Sequence, residues 1–166
     1  MVWAPSGRAA WLAMREAATA MALQDNPTRA FIAEAIASSQ RDVALDINPA
    51  FSSLECVLEE GTPGCVTTRF TAGPQTAQGN GVVGGGTLAN ILDCGLAVSA
   101  LSILAPGQTC STISLTVNML RAASVGTLWV RAKVDRAGRR VVFAQAQLYD
   151  SGQRLVATAS SSLAVV

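Results

Sequence analysis

Residues 79–98 constrain this chain more than any other stretch. Gly79-Asn80-Gly81-Val82-Val83-Gly84-Gly85-Gly86 runs directly into Thr87-Leu88-Ala89-Asn90-Ile91-Leu92-Asp93-Cys94-Gly95-Leu96-Ala97-Val98. A glycine-rich loop thus opens a helix, predicted over residues 86–104, that is apolar nearly all round. Such a helix has to be enclosed by other elements. Its small residues, Ala89, Gly95, Ala97, Ser99 and Ala100, let a sheet wrap closely around it. One charge interrupts it, Asp93, and no ionisable carboxylate or base comes after it until Arg121. A lone carboxylate on an apolar helix is costly unless it is paired or used.

The start of this helix has its own chemistry. Glycines there leave backbone N–H groups pointing outward, with the positive end of the helix dipole behind them. Such an end binds an anion or polarises a carbonyl oxygen. A phosphate loop is not indicated, because no Lys-Ser/Thr pair comes after the glycines. Asp93 lies two helical turns beyond Gly85, about 12 Å of rise. That is too far for both to act on one small atom within one chain. It suits a site between two copies, with the glycine loop of one facing Asp93 of the other.

Beyond the helix the chain is all strand. Ala105-Pro106-Gly107 ends the helix. Residues 109–120, 126–134, 140–149 and 154–165 alternate in the manner of half-buried strands, and Ala137-Gly138 and Asp150-Ser151-Gly152 read as turns. Strands joined by short turns imply an antiparallel meander. Before the helix, Cys65-Val66-Thr67-Thr68-Arg69-Phe70-Thr71 is a further strand, residues 55–59 a short one, and Gly61-Thr62-Pro63-Gly64 the turn between them. The predicted fold is α+β, a curled antiparallel sheet of five to six strands around one central helix.

Residues 1–45 are expected to form an N-terminal helical extension to a domain over residues 46–166. A helix over residues 7–23 has Trp11, Met14, Ala18 and Met21 on one stripe, and Asn26-Pro27 starts a second helix running to about Ser39. Asn48-Pro49 begins one further helical turn.

Composition excludes several chemistries. The chain of 166 residues has no histidine, one lysine (Lys133) and one tyrosine (Tyr149). Ser-His and Cys-His nucleophile pairs are therefore excluded, as are zinc sites that lean on imidazole. Carboxylates lead for acid–base work. The net charge of +1 and 5% aromatic content argue against nucleic acid or an anionic membrane as partner. Cys56, Cys65, Cys94 and Cys110 lack a CxxC pair and read as reduced thiols, so no metal is expected. No signal segment or membrane span is read, and the expected location is cytoplasmic.

The stretch from Gln78 to Asp93 resembles the signature of hotdog-fold acyl-CoA thioesterases of the phenylacetate-degradation, PaaI-like type. That signature is an amide residue, a short loop, His-Gly-Gly, then a helix with an acidic residue. Val117-Asn118-Met119-Leu120-Arg121-Ala122-Ala123, the Gly126 strand, Gly138-Arg139-Arg140 and the ending Asp150-Ser151-Gly152-Gln153-Arg154-Leu155-Val156-Ala157 also fit. The resemblance covers residues 48–166. It implies a hotdog fold working as a homodimer or homotetramer, with an acyl-CoA thioester as substrate. No separate cofactor is implied, coenzyme A being part of that substrate.

The same resemblance assigns roles residue by residue. Asp93 falls on the catalytic carboxylate, nucleophile or general base for water. Gln78, fifteen residues earlier, falls on the amide that contacts the carbonyl or the water. Gly85 falls on the N–H that polarises the thioester oxygen. Thr112, or Ser111 if the register slips by one, falls on the hydroxyl that orients the carboxylate or water. Gly84, Gly86, Asn80 and Ala97 line the same region. Arg121, Arg139 and Arg140, with Arg136, are candidates for the coenzyme A phosphates. Gly84 stands where the family usually has His, a residue that mainly orders the loop. Hotdog dehydratases need a His beside their acid, so hydrolysis is the activity left within the superfamily. Three readings remain: an acyl-CoA thioesterase, a non-catalytic hotdog protein that binds an acyl ligand or serves as a dimeric partner, or a structural scaffold without ligand.

Overall fold

The computed structural model describes residues 25–166. The helix expected over residues 7–23 lies outside them. The first described helix, α1 (Pro27–Ala37), starts where the sequence places it: the Asn26 side chain accepts from the Arg29 N–H at 3.0 Å, and Pro27 needs no acceptor. Asn48 caps α2 (Pro49–Ser52) in the same way, accepting from the Ala50 N–H at 3.0 Å. Between them lies the two-residue strand β1 (Val43–Ala44).

Helix α1 is tied to the body of the molecule at its first turn. The buried Arg29 guanidinium pairs with Asp25 and donates to the Leu104 carbonyl at 3.2 Å. Asn26 Nδ2 donates to Thr109 Oγ1 at 2.9 Å, and the Gly107 N–H donates to Asp25 Oδ1 at 3.1 Å. Ile32 and Ala35 then enter the central core.

The remaining elements are β2 (Val57–Thr62), β3 (Cys65–Ala72), α3 (Gly85–Leu101), β4 (Cys110–Met119), β5 (Gly126–Ala137), β6 (Val141–Tyr149) and β7 (Leu155–Val165). The strands form one antiparallel sheet in the order β1-β2-β3-β5-β6-β7-β4. The sheet has seven strands rather than five to six, because β1 adds an edge strand through Val43 and Leu58. The meander holds only for β5, β6 and β7. β4 does not pair with β5; it pairs with β7 at the far edge, and β5 pairs with β3. Residues 120–125 are therefore a crossover and not a hairpin turn. Local pattern does not show this, since pairing partners are chosen by the whole sheet.

Strands β3 to β7 all touch α3, so the sheet wraps the helix. This is the hotdog arrangement. Gly95 shows why small residues are needed: a Cβ there would sit 2.5 Å from Val130 Cγ1 on β5. Helix α3 ends at Leu101, three residues short of the predicted end. Ser102 stops it, its hydroxyl donating to the Ser99 carbonyl at 2.7 Å and accepting the Gly64 N–H at 2.8 Å.

Among the described residues the helix is not enclosed all round. Leu88, Ile91, Leu92, Leu96 and Val98 face the core, whereas Gly85, Gly86 and Asn90 are exposed and Ala89, Asp93 and Ala97 are half-buried. One stripe of α3 therefore stays open. Beside it lies β4, which has no partner along its outer edge among the described residues.

Candidate active site

The open stripe begins at the glycine loop, which backbone bonds hold in place. The Gly81 N–H donates to the Gln78 carbonyl at 2.9 Å, and the Gln78 N–H donates to the Val82 carbonyl at 2.8 Å. This turn needs the positive φ of Gly81, +79°. The Val83 N–H donates to the Ala123 carbonyl at 2.8 Å, and the Gly84 N–H to the Thr76 carbonyl at 2.9 Å. Gly84 is the N-cap residue, in extended conformation, with no side chain to cap the helix. The N–H groups of Gly85 and Gly86 have no acceptor among the described residues. They lie at the positive end of the helix dipole.

Asp93 sits two turns further along. The Thr112 hydroxyl, reaching in from β4, donates to Asp93 Oδ1 at 2.9 Å. A bulge between Thr112 and Ser114 sets this register: Thr112 stands opposite the buried Leu163, and Ser114 opposite Ser162. The hydroxyl that meets the carboxylate is thus that of Thr112, while Ser111 alternates to the other face. Cys94 and Cys110 feel the same carboxylate. Burial first, and the Asp93 charge second, push the Cys94 thiol up to about 12 and the Cys110 thiol up to about 11. Burial and the neighbouring charge thus disfavour the thiolate form of both.

Within one chain, Asp93 and Gly85 do not converge on one atom, being about 12 Å apart along the axis. Gln78 and Asn80 lie exposed in the turn on the Gly85 side, and Asn80 Oδ1 accepts from the Val82 N–H at 3.4 Å. The arginines separate. The Arg121 N–H donates to the Val156 carbonyl at one end of β7, whereas the Arg140 carbonyl accepts from the Val165 N–H at the other. Nine residues of strand separate these ends, about 30 Å, so Arg121 cannot share a ligand phosphate with Arg139 and Arg140 in one chain. Arg139 and Arg140 lie in the β5–β6 turn on the Thr112 side of the sheet. Among the described residues, no group of three or more His, Cys, Asp or Glu side chains could hold a metal ion, and no helix is long and apolar enough to cross a membrane.

Comparison with known proteins places this arrangement. The model of the thioesterase superfamily matches residues 80–157, from the glycine loop to β7. A Ralstonia eutropha JMP134 protein of known structure, provisionally described as a thioesterase related to phenylacetic acid degradation, is 31% identical, with a TM-score of 0.66; the match covers 68% of this chain and 86% of that one. The chain belongs to the thioesterase superfamily. A Pseudomonas aeruginosa protein provisionally described as an esterase is 40% identical over 81 residues, which are 48% of this chain. This chain spans 60% of that relative's length. A Streptococcus mutans protein solved with acetyl-CoA bound shares the fold at 17% identity, with a TM-score of 0.61, over 66% of this chain and 86% of that one.

At Gly84, where the sequence resemblance implies a histidine, the fold has no steric need for glycine. A Cβ there would lie 3.5 Å from the Thr76 carbonyl oxygen, an ordinary contact, and its φ of −64° suits any residue. The backbone bonds of Gln78, Val83 and Gly84 hold this thioesterase-superfamily loop without an imidazole.

Two residues of the site are not singled out by sequence. Met119 lies at the helix N-terminus, its Cε 3.8 Å from where a Cβ on Gly85 would be. Nothing local marks it, because β4 reaches Gly85 only through its pairing with β7. Asn90 is exposed on the same stripe as Asp93, one turn earlier. Helical spacing is the one signal that points to it.

Proposed function

We propose that this chain hydrolyses an acyl-CoA thioester at a site completed by a second copy of itself. The hydrogen bond from Thr112 to Asp93 carries this reading, since it aims a carboxylate whose charge no cation neutralises among the described residues. Such a carboxylate is free to act as base or nucleophile.

The thioester oxygen accepts from the Gly85 N–H of one copy, where the helix dipole stabilises the developing oxyanion. Asp93 of the other copy attacks the carbonyl carbon, or takes the proton of the water that does. The C–S bond breaks and the thiolate leaves with the electron pair, to be protonated as coenzyme A; where Asp93 has itself attacked, water then cleaves the mixed anhydride, releasing the acid and the free carboxylate. Gln78 orients the carbonyl or water from the loop, and Ala97 lines the acyl side of the stripe. Arg139 and Arg140, on the Thr112 side, receive the phosphates. The acetyl-CoA bound to the Streptococcus mutans protein is a ligand of this class.

Pairing of copies has a physical basis in β4. Among the described residues no strand pairs with its outer edge, and Ile113, Met119 and Leu120 are exposed on or beside it. A long bare edge with apolar side chains favours pairing with another strand.

A panel of aryl- and aliphatic-CoA thioesters, read by release of free thiol, tests the proposal. Turnover on at least one member, lost by at least ~10²-fold in Asp93→Asn, is the expected result. Binding across the panel without turnover would support the non-catalytic reading instead.

A further inference from the structure

We infer that Asn90 of each copy meets Asn90 of the second copy at the two-fold axis, and that this amide pair sets the spacing between the two sites of a dimer. The inference rests on the shared-site reading above. If Gly85 of one copy faces Asp93 of the other, symmetry requires Asp93 of the first to face Gly85 of the second. The two α3 helices then run antiparallel, and residue 89, midway between 85 and 93, lies at the axis. Asn90 is one residue away, about 1.5 Å of rise, so the two copies of it are offset by only about 3 Å along the helices.

The residues around this point fit a close approach. Ala89 and Gly86 are small, and both lie on the open stripe beside Asn90. Helices packed across small residues approach to about 8 Å between axes. Asn90 is also the wrong residue for an isolated exposed helix position, where asparagine is a weak former. Its carbonyl is already engaged: the Cys94 thiol donates to Asn90 Oδ1 at 3.7 Å. The Nδ2 donors have no acceptor among the described residues. A second copy of the same amide supplies one, because Oδ1 has a further lone pair. The pair would hold the helices in one register, so that each Gly85 N–H and the opposing Asp93 close on one carbonyl group.

Disulfide trapping tests this. Cys65 is exposed and the Cys94 thiol touches residue 90, so the parent for the experiment is Cys65→Ser with Cys94→Ala, and Asn90→Cys is added to it. A disulfide forms where Cα atoms lie within about 7 Å. With oxidised glutathione, the Asn90→Cys protein is expected to give a reducible two-chain species on a non-reducing gel, and the parent none. A protein that light scattering shows to be dimeric but that stays single-chain on the gel would overturn the place given to Asn90, leaving the shared site intact. A monomer that still hydrolyses thioesters would overturn the shared site as well. A second measurement does not depend on oxidation. Asn90→Asp and Asn90→Lys should each raise the dimer dissociation constant by about tenfold or more, and a mixture of the two should restore it, since opposite charges meet where like charges repelled. Failure of the mixture to restore dimerisation would count against the pair.

Discussion

Thr112 Oγ1 donates to Asp93 Oδ1 at 2.9 Å, across the gap between the edge strand β4 and the central helix α3. The bond fixes which lone pairs of the carboxylate remain for a substrate or a water. Replacing Thr112 by Val keeps the shape and removes the donor, and turnover should fall by about tenfold, the value of one hydrogen bond to a charged group. Thr112→Ser should retain most of the activity. Thioester hydrolysis rates of the two variants make the comparison. Equal rates in Thr112→Val and the parent would detach the hydroxyl from the chemistry.

Gly95 lets β5 reach the helix. A Cβ there would lie 2.5 Å from Val130 Cγ1 and 3.1 Å from Val130 Cβ, and Val130 is wholly buried. Gly95→Ala should destabilise the fold by about 1–3 kcal/mol, the cost of overpacking, despite the better helix propensity of alanine. Urea unfolding reads this as a lower midpoint. A midpoint at or above that of the parent would show that the sheet packs less closely on α3.

Acid should weaken the fold through two aspartates. Asp150 accepts from the Arg154 Nε at 2.8 Å, the Arg154 N–H at 3.0 Å and the Gly152 N–H at 2.9 Å, and the Arg154 side chain beside it holds its carboxyl below the usual range. Asp25 is lowered likewise, chiefly by its bond to Arg29. A carboxyl with a depressed folded-state pKa binds fewer protons folded than unfolded. Its contribution is therefore complete above the unfolded value, about 3.9, and is lost as pH falls through the folded one. Unfolding midpoints measured from pH 7 down to pH 2 should decline on the acid side of about pH 4. Asp150→Asn should flatten part of that decline; an unchanged slope would contradict the assignment.

The parts of the molecule legible in its sequence are those governed by near neighbours. Asn26-Pro27 and Asn48-Pro49 start helices because an N-cap amide and a proline act within three residues. The strand over Cys65–Ala72 is plain from alternation, and Asp93 stands out as the one charge on an apolar helix. The illegible parts depend on distant partners. β4 looks like the first strand of a meander, yet it crosses to the far edge because β5 takes β3 as neighbour. The choice between Ser111 and Thr112 turns on a bulge at Ile113, which only the pairing with β7 defines. Met119 reaches Gly85 by the same route.

The proposed site draws Gly85 from one copy and Asp93 from the other. Gly85→Pro tests the first half without harming the helix, since proline suits the first helical position and Gly84 is already extended (φ −64°, ψ 142°). It deletes the N–H and should lower turnover by about 10²-fold. Asp93→Asn deletes the second half. Each variant alone has two broken sites per dimer. Unfolded and refolded together in equal amounts, they give mixed dimers with one intact site and one doubly broken. Activity should then return to about a quarter of the parent value, from random pairing of two copies. Recovery to that level is the predicted result. Refolded mixed dimers, verified by differential tagging, that remain as inactive as the separate variants would contradict the shared site.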